Sequence, residues 1–89
     1  MTIQINSFPS TKGQMRFVGI VTAMVTEHEG VLTGKVPHLG VEATGANPLE
    51  LHAALVAACA VAYDRVLSGQ EGAEMRLRWA GAVVRDGSD

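Results

Sequence analysis

The most informative stretch of this 89-residue chain is residues 47–67, which read NPLELHAALVAACAVAYDRVL. Asn47 is a favoured helix N-cap, Pro48 suits the first helical position, and Glu50 stands three residues after the cap, as in a capping box. Gly69 supplies a stop signal just past the other end. We therefore predict one long helix that runs the length of this stretch.

The predicted helix carries apolar side chains on every face. Between His52 and Asp64 the only polar groups are the Tyr63 hydroxyl and the Cys59 thiol. Its larger residues share one face, at spacings of three and four: Leu51, Leu55, Cys59, Ala62 and Val66. The opposite side is rich in alanine: Ala53, Ala57 and Ala60. Because one small sheet covers only one side of a helix, we predict a second layer, most simply a second copy of the chain.

The sequence before the helix predicts β-strands. Residues 16–27 are apolar on both faces of a strand, which indicates cover on both sides. Residues 27–30, Glu-His-Glu-Gly, predict a hairpin connection to a return strand over 31–36. Residues 40–45 are interpreted as a short strand or an extended connector. Residues 1–14 contain several breakers and predict a loose lead-in, in which 2–6 alternate like a short edge strand.

The sequence after the helix predicts one more strand. Residues 74–79 alternate, so that Met75, Leu77 and Trp79 share one face. Residues 85–89 form a polar tail. Together these elements predict one α+β domain over residues 1–89, with an antiparallel sheet in β-β-β-α-β order and one long buried apolar helix, completed by dimerisation.

Composition and charge exclude several classes of protein. A formal net charge of −2 offers no basic surface for nucleic acid, and a single cysteine allows neither an internal disulfide nor a zinc site built from cysteines alone. The first residues lack the features of a signal peptide, and the longest apolar run, the 11 residues 53–63, is too short to cross a membrane. We therefore predict a soluble, cytoplasmic protein without nucleic-acid or membrane partners.

A known family shares the sequence around the helix start. Residues 37–51 read PHLGVEATGANPLEL, and an Ala-Ala-Cys sequence follows at 57–59. This stretch resembles the OsmC/Ohr family, in which a proline-containing loop and a glycine pair lead into Gly-x-Asn-Pro-x-Glu-Leu and then into a buried helix with Ala-Ala-Cys. The resemblance runs over 37–59 without a gap and concerns the N-terminal half of that family only.

The OsmC/Ohr resemblance implies an intertwined homodimer and a thiol-dependent organic hydroperoxide reductase of the stress response. It assigns Cys59 as the peroxidatic thiol, with Glu50 and Arg16 completing the catalytic site. The sequence departs from the family at two points. Cys59 is the only cysteine, so the resolving thiol would be external, and Leu49 stands where the family has its glutamate. Glu50, nine residues before Cys59, faces the opposite side of the helix.

A second family offers a different interpretation. Residues 36–39 (Val-Pro-His-Leu), the Thr-Gly pair at 44–45 and the glutamate at the helix start resemble the HicB-like partial ribonuclease H fold of antitoxins. That resemblance implies no catalysis and a protein partner.

Other side chains are candidates for a ligand site or an interface. His52 lies two helical turns from Cys59, too far to act as its base, and is assigned with Leu55 to an interface. Arg76 and Arg78 on one strand face could hold an anion, or could simply be solvated. Trp79 is predicted to pack in the core, at an interface or in a pocket wall.

The titratable residues suggest neither a metal nor a cofactor. His28, His38 and His52 lack the spacing of a helical zinc site, and Cys59 is interpreted either as a redox thiol or as a small buried hydrophobe. Because the resolving cysteine and the aligned glutamate are missing, we favour a non-catalytic binding or interaction module, with a small apolar ligand as a potential partner at the dimer interface.

Overall fold

The computed structural model describes residues 1–86 and has the α+β fold that the sequence predicts. Within these residues five strands and two α-helices follow one another along the chain: β1 (Thr2–Ser10), β2 (Gly13–His28), β3 (Val31–Val36), β4 (Val41–Gly45), α1 (Pro48–Leu67), α2 (Ala73–Ala82) and β5 (Val83–Arg85). A short 3-10 helix, Pro37–Leu39, connects β3 to β4.

The strands form one antiparallel sheet on which α1 packs. Its strand order is β1-β2-β3-β4, and β5 pairs with the first part of β2. The predicted hairpin is confirmed: β2 and β3 are joined by Glu29 and Gly30, whose φ angles of 51° and 80° suit the left-handed conformations of a two-residue turn.

Helix α1 begins and ends where the sequence predicts. The Asn47 side chain accepts a hydrogen bond from the Glu50 backbone N–H at 2.9 Å, and the Glu50 carboxylate accepts one from the Asn47 side-chain amide at 3.2 Å. Gly69, with a φ of 79°, turns the chain away just past the last helical residue. The predicted inner face is confirmed, since Leu51, Leu55 and Cys59 are fully buried.

The four aromatic residues of the chain meet in one cluster beneath the sheet. Phe8 lies 5.4 Å from Phe17, 5.6 Å from Tyr63 and 5.8 Å from Trp79, measured between ring centroids. The Trp79 indole N–H donates to the Leu39 carbonyl at 3.2 Å, which satisfies its one polar atom. Because the rings come from β1, β2, α1 and α2, this cluster joins the sheet to both helices.

The predicted strand over residues 74–79 is wrong, because this segment belongs to helix α2. Met75 and Trp79 face the core at helical spacing, whereas Leu77, which alternation placed beside them, is 74% exposed. Glu, Met, Arg, Leu and Ala are good helix formers, and alternation over only six residues fits a helix face nearly as well as a strand face.

The predicted short edge strand over residues 2–6 is confirmed but longer than expected: β1 continues to Ser10, so the loose lead-in predicted for the rest of residues 1–14 is wrong. A bulge between Ile5 and Ser7 shifts the inward-facing positions, so Ile5 and Phe8 are both buried although three residues apart. Pro9 costs no ladder hydrogen bond, since it stands on an edge strand.

Of the predicted polar tail, Arg85 belongs to β5, and residues 87–89 lie outside the described part of the chain.

Strand β2 has cover on one side only in this single chain. Its inward side chains Phe17, Ala23 and Val25 are buried, but Val18 and Ile20 on the outward side are exposed. The predicted cover on both sides is therefore not met within residues 1–86.

Candidate functional site

Cys59 lies in the core between α1 and the sheet. Its side chain is fully buried, and this burial raises the pKa of the thiol from 9.0 to about 12. The thiol is therefore protonated at neutral pH. Because the thiol titrates near 9 in the unfolded chain, its burial contributes stability below pH 9 that is lost as the pH rises toward 12.

The two residues that the family resemblance assigns beside Cys59 lie elsewhere. Glu50 is exposed in the first turn of α1, where it caps the helix. Arg16 points from the outward side of β2, with its Nε 3.9 Å from the Asp86 carboxylate. Since Cys59 is buried on the other side of the sheet, the structure does not bring the three side chains together.

The side chains assigned to an interface divide between the core and the surface. Leu55 and Trp79 are fully buried, so within the single chain both are core residues rather than interface residues. His52 is partly buried on α1.

Arg76 and Arg78 do not form the predicted pair on one face. Two residues apart on helix α2, their side chains point in nearly opposite directions. Arg78 pairs with the Glu74 carboxylate and donates to the His38 carbonyl at 3.3 Å, while Arg76 is exposed. An anion clamp by these two arginines is therefore incompatible with the helix.

Within residues 1–86 there is neither a cluster of metal-ligating side chains nor a membrane-spanning helix. Nowhere in this range do three or more His, Cys, Asp or Glu side chains come close enough to hold a metal ion. Neither helix is long and apolar enough to cross a membrane.

The side of α1 that faces away from the sheet is an uncovered apolar surface. We call it the outer face of α1 and define it by five exposed residues: Leu49, Ala53, Ala57, Val61 and Leu67. Leu49 is 81% exposed and Val61 56% exposed, and no charged side chain interrupts the helix between Glu50 and Asp64. A helix at the surface of a monomer normally has a polar outer side, so this surface is the strongest candidate site in the described chain.

Two open hollows flank the outer face of α1, and both are lined in part by Val61 and Arg65. The larger, about 620 Å³, lies beside the turn between β1 and β2, where the Thr11 hydroxyl donates to Asp64 at 3.2 Å. The smaller, about 280 Å³, lies beside β4 and is lined by Val41 and Ala62. Neither hollow contains Cys59.

The sequence pattern indicates the alanines of this surface but does not single out Leu49 and Val61 as site residues. A signal for both was present, since each is a large apolar residue on the helix side opposite to Leu51 and Leu55. Val18 and Ile20 of β2 are also exposed, whereas the sequence pattern indicates only that they form the second apolar face of a strand.

Comparisons with known protein families, with curated proteins and with solved structures found no match. The resemblances to the OsmC/Ohr family and to HicB-like antitoxins therefore stay predictions from the sequence.

The burial of Cys59 predicts that its thiol is unreactive in the folded protein. At pH 8 a pKa of about 12 leaves a thiolate fraction about a thousandfold smaller than a pKa of 9 does. Alkylation by iodoacetamide should therefore be about a thousandfold slower in the folded chain than in urea, as followed by mass spectrometry. The control is the variant Leu77→Cys with Cys59→Ser, whose thiol at an exposed position of α2 should react in the folded state. Equal rates for native and unfolded wild type would contradict the buried position.

Proposed function

We propose that this chain is a non-catalytic binding and interaction module that works as a cytoplasmic homodimer. The observation that carries the proposal is the outer face of α1, which exposes Leu49, Val61 and the alanines between them along an uncharged helix. Covering this surface with a second copy removes apolar area from water. The OsmC/Ohr resemblance supports the same assembly, because that family forms homodimers around the corresponding helix.

The shape of the outer face suits an antiparallel pair of helices. Ala53 and Ala57 have small side chains, which let two helix backbones approach closely. Glu50 and Arg65 lie about two turns on either side of Ala57. In an antiparallel pair that crosses near Ala57, Glu50 of each copy lies beside both Asp64 and Arg65 of the partner, so the charged side chains stand at the two ends of the apolar contact and not within it.

The proposed dimer also provides a place for a ligand. The hollow beside β4 is open in the single chain and is lined by the apolar residues Val41, Val61 and Ala62 and by the charged residues Glu42 and Arg65. A second copy seated on the outer face would cover part of it, and the enclosed space would suit a small apolar molecule with a polar group directed at Glu42 or Arg65.

The environment of Cys59 supports the non-catalytic interpretation over the peroxidase interpretation. A peroxidatic cysteine needs an accessible thiolate, whereas this thiol is fully buried and its pKa is raised to about 12. Glu50 and Arg16, the groups that would activate it, lie apart from it. The HicB-like alternative differs from our proposal in requiring another protein as the main partner.

The dimer predicts a solution mass of twice the 9.4 kDa of one chain. Val61→Glu should convert the dimer to monomer, because it would bury an unpaired carboxylate in each copy's contact. Light scattering coupled to size exclusion, at about 100 µM protein, measures both masses. Leu77→Glu is the matched control: Leu77 is 74% exposed on α2, outside the proposed contact, so this variant should stay dimeric.

Two results would oppose the proposal. A wild-type mass of 9.4 kDa at this concentration would show that the chain is a monomer and would contradict the proposed homodimer. If the wild type reduces cumene hydroperoxide with dithiothreitol and Cys59→Ser does not, the chain is a thiol-dependent peroxidase and not a non-catalytic module.

A further inference from the structure

The sheet has two edge strands, and they differ in regularity. Edge strand β1 is interrupted by a bulge between Ile5 and Ser7 and contains Pro9, two features that disfavour pairing with a further strand. Edge strand β4 pairs with β3 without a register shift over its whole length, Val41–Gly45, and has no strand on its other side in the described chain. We call this open side the β4 edge.

The backbone groups that point into the β4 edge follow from the strand registers. The Val25 N–H donates to Met1 on the β1 side, so odd-numbered residues at this end of β2 face β1 and even-numbered residues face β3. Carried through the regular registers of β2 with β3 and of β3 with β4, this alternation turns Ala43 toward β3. The N–H and C=O groups of Glu42 and Thr44 therefore point into the β4 edge, where none has a backbone partner in the described part of the chain.

Strand β4 runs alongside α1 in the opposite direction. Its last residue, Gly45, lies against the first turn of the helix, where an added Cβ would stand 2.6 Å from the Leu51 nitrogen. Its first residues line the hollow beside β4 together with Arg65, which stands near the other end of the helix. The middle residue of β4, Ala43, is therefore level with the middle of α1, at about residue 58.

The side of α1 next to the β4 edge is apolar along its middle. Ala54, Ala58 and Val61 fall within about 60° of one another around the helix, and the last two line the hollow beside β4. The charged side chains on this side, Glu50 and Arg65, stand at its two ends. This side continues from the outer face of α1, since Val61 belongs to both.

We propose that the second copy of the homodimer joins at the β4 edge, so that the two sheets become one continuous sheet with the two α1 helices side by side on it. This inference rests on the proposed homodimer and states where its partner attaches. A twofold axis at Ala43 would pair Glu42 with the partner's Thr44, and Thr44 with the partner's Glu42, through four backbone hydrogen bonds. An axis at Glu42 would instead set two carboxylates opposite each other, which is unfavourable.

One axis satisfies both contacts of the proposed dimer. Because Ala43 is level with the middle of α1, a twofold axis at Ala43 also makes the two helices antiparallel about their middles. Backbone hydrogen bonds alone add little net free energy in water, so a bare strand would gain little at this edge. A second copy brings a strand together with an apolar helix side, and it would remove Ala58 and Val61 from water at the same time.

Amide hydrogen exchange, measured by nuclear magnetic resonance, tests the pairing. In the wild-type dimer the Glu42 and Thr44 N–H groups should exchange about tenfold or more slowly than in the monomeric variant Val61→Glu, because only the dimer supplies their acceptors. The Ala43 N–H is the matched control. It faces β3 within one chain, so it should be protected in both states.

A disulfide between copies provides a second measurement that needs no monomeric variant. The two Ala43 residues on the axis would form a non-hydrogen-bonded pair with Cα atoms about 4.5 Å apart, a distance that a disulfide spans. On oxidation with diamide, Ala43→Cys with Cys59→Ser should give a linked dimer in mass spectrometry without reductant. Leu77→Cys with Cys59→Ser should stay unlinked, because Leu77 is exposed on α2, outside the proposed contact.

The possible results separate this inference from the proposed homodimer. A wild-type dimer whose Glu42 and Thr44 amides exchange rapidly, or whose Ala43→Cys form stays unlinked, would overturn the β4 pairing and leave the homodimer. Slow exchange of both amides in dimer and monomer alike would also overturn it, since a segment of the same chain would then cover the β4 edge. A monomeric wild type would overturn the proposed function together with the inference.

Discussion

Trp79→Ala should lower the free energy of unfolding by about 3–5 kcal/mol. The indole is fully buried, packs against Phe8, Phe17 and Tyr63, and donates to the Leu39 carbonyl. Its removal leaves a cavity at the point where α2 meets the sheet, and the Leu39 carbonyl loses its donor. Urea denaturation followed by circular dichroism measures the loss.

Leu77→Ala is the matched control for Trp79→Ala. Leu77 lies on the same helix but is 74% exposed, so its truncation should change stability by less than about 0.5 kcal/mol in either direction. If residues 74–79 formed a strand with Leu77 and Trp79 on one buried face, both substitutions would be costly. Equal effects would therefore contradict the helix.

Gly45→Ala should destabilise the chain by about 3 kcal/mol. A Cβ at this position would stand 2.6 Å from the Leu51 backbone nitrogen and 2.8 Å from the Leu51 Cα. These atoms belong to the first turn of α1, which the Asn47 cap holds in place. The added Cβ would therefore displace the backbone of the helix or of the end of β4, and either displacement lowers the free energy of unfolding. Thermal and urea unfolding should both show the loss.

Gly81→Ala is the comparison for Gly45→Ala. A Cβ on Gly81 would meet no atom within 4 Å, and Gly81 lies inside helix α2. Alanine there should raise stability by about 0.5–1 kcal/mol, because glycine loses more backbone entropy in a helix. A Gly45→Ala variant as stable as wild type would show that β4 and α1 are not in close contact at this point.

The sequence placed Cys59 on the inward face of its helix but did not establish its chemistry. The spacing from Leu51 and Leu55 is a local property and was sufficient to orient the thiol. Its raised pKa comes from desolvation by the sheet and the neighbouring side chains, which arrive from distant parts of the chain. The separation of Arg16 from the thiol likewise depends on which face of β2 the helix covers.

Several features of the fold depend on strand register and on tertiary contacts, which composition and spacing do not give. The ladder along one edge of β2 is interrupted because β3 ends at Val36 while β5 begins opposite Phe17. The aromatic cluster exists because four rings from four elements converge on one point. In both cases the relevant contacts join residues far apart in sequence.

By itself the sequence determined helix α1, the hairpin between β2 and β3, and the apolar outer face of the helix. Capping, turn and helix-periodicity signals act between residues a few positions apart, so they are complete within the local sequence. Only the tertiary structure decided that β1 continues to Ser10 and that residues 73–82 are a helix. Their short alternating or interrupted patterns fit more than one local structure, and the choice between them depended on contacts with the rest of the chain.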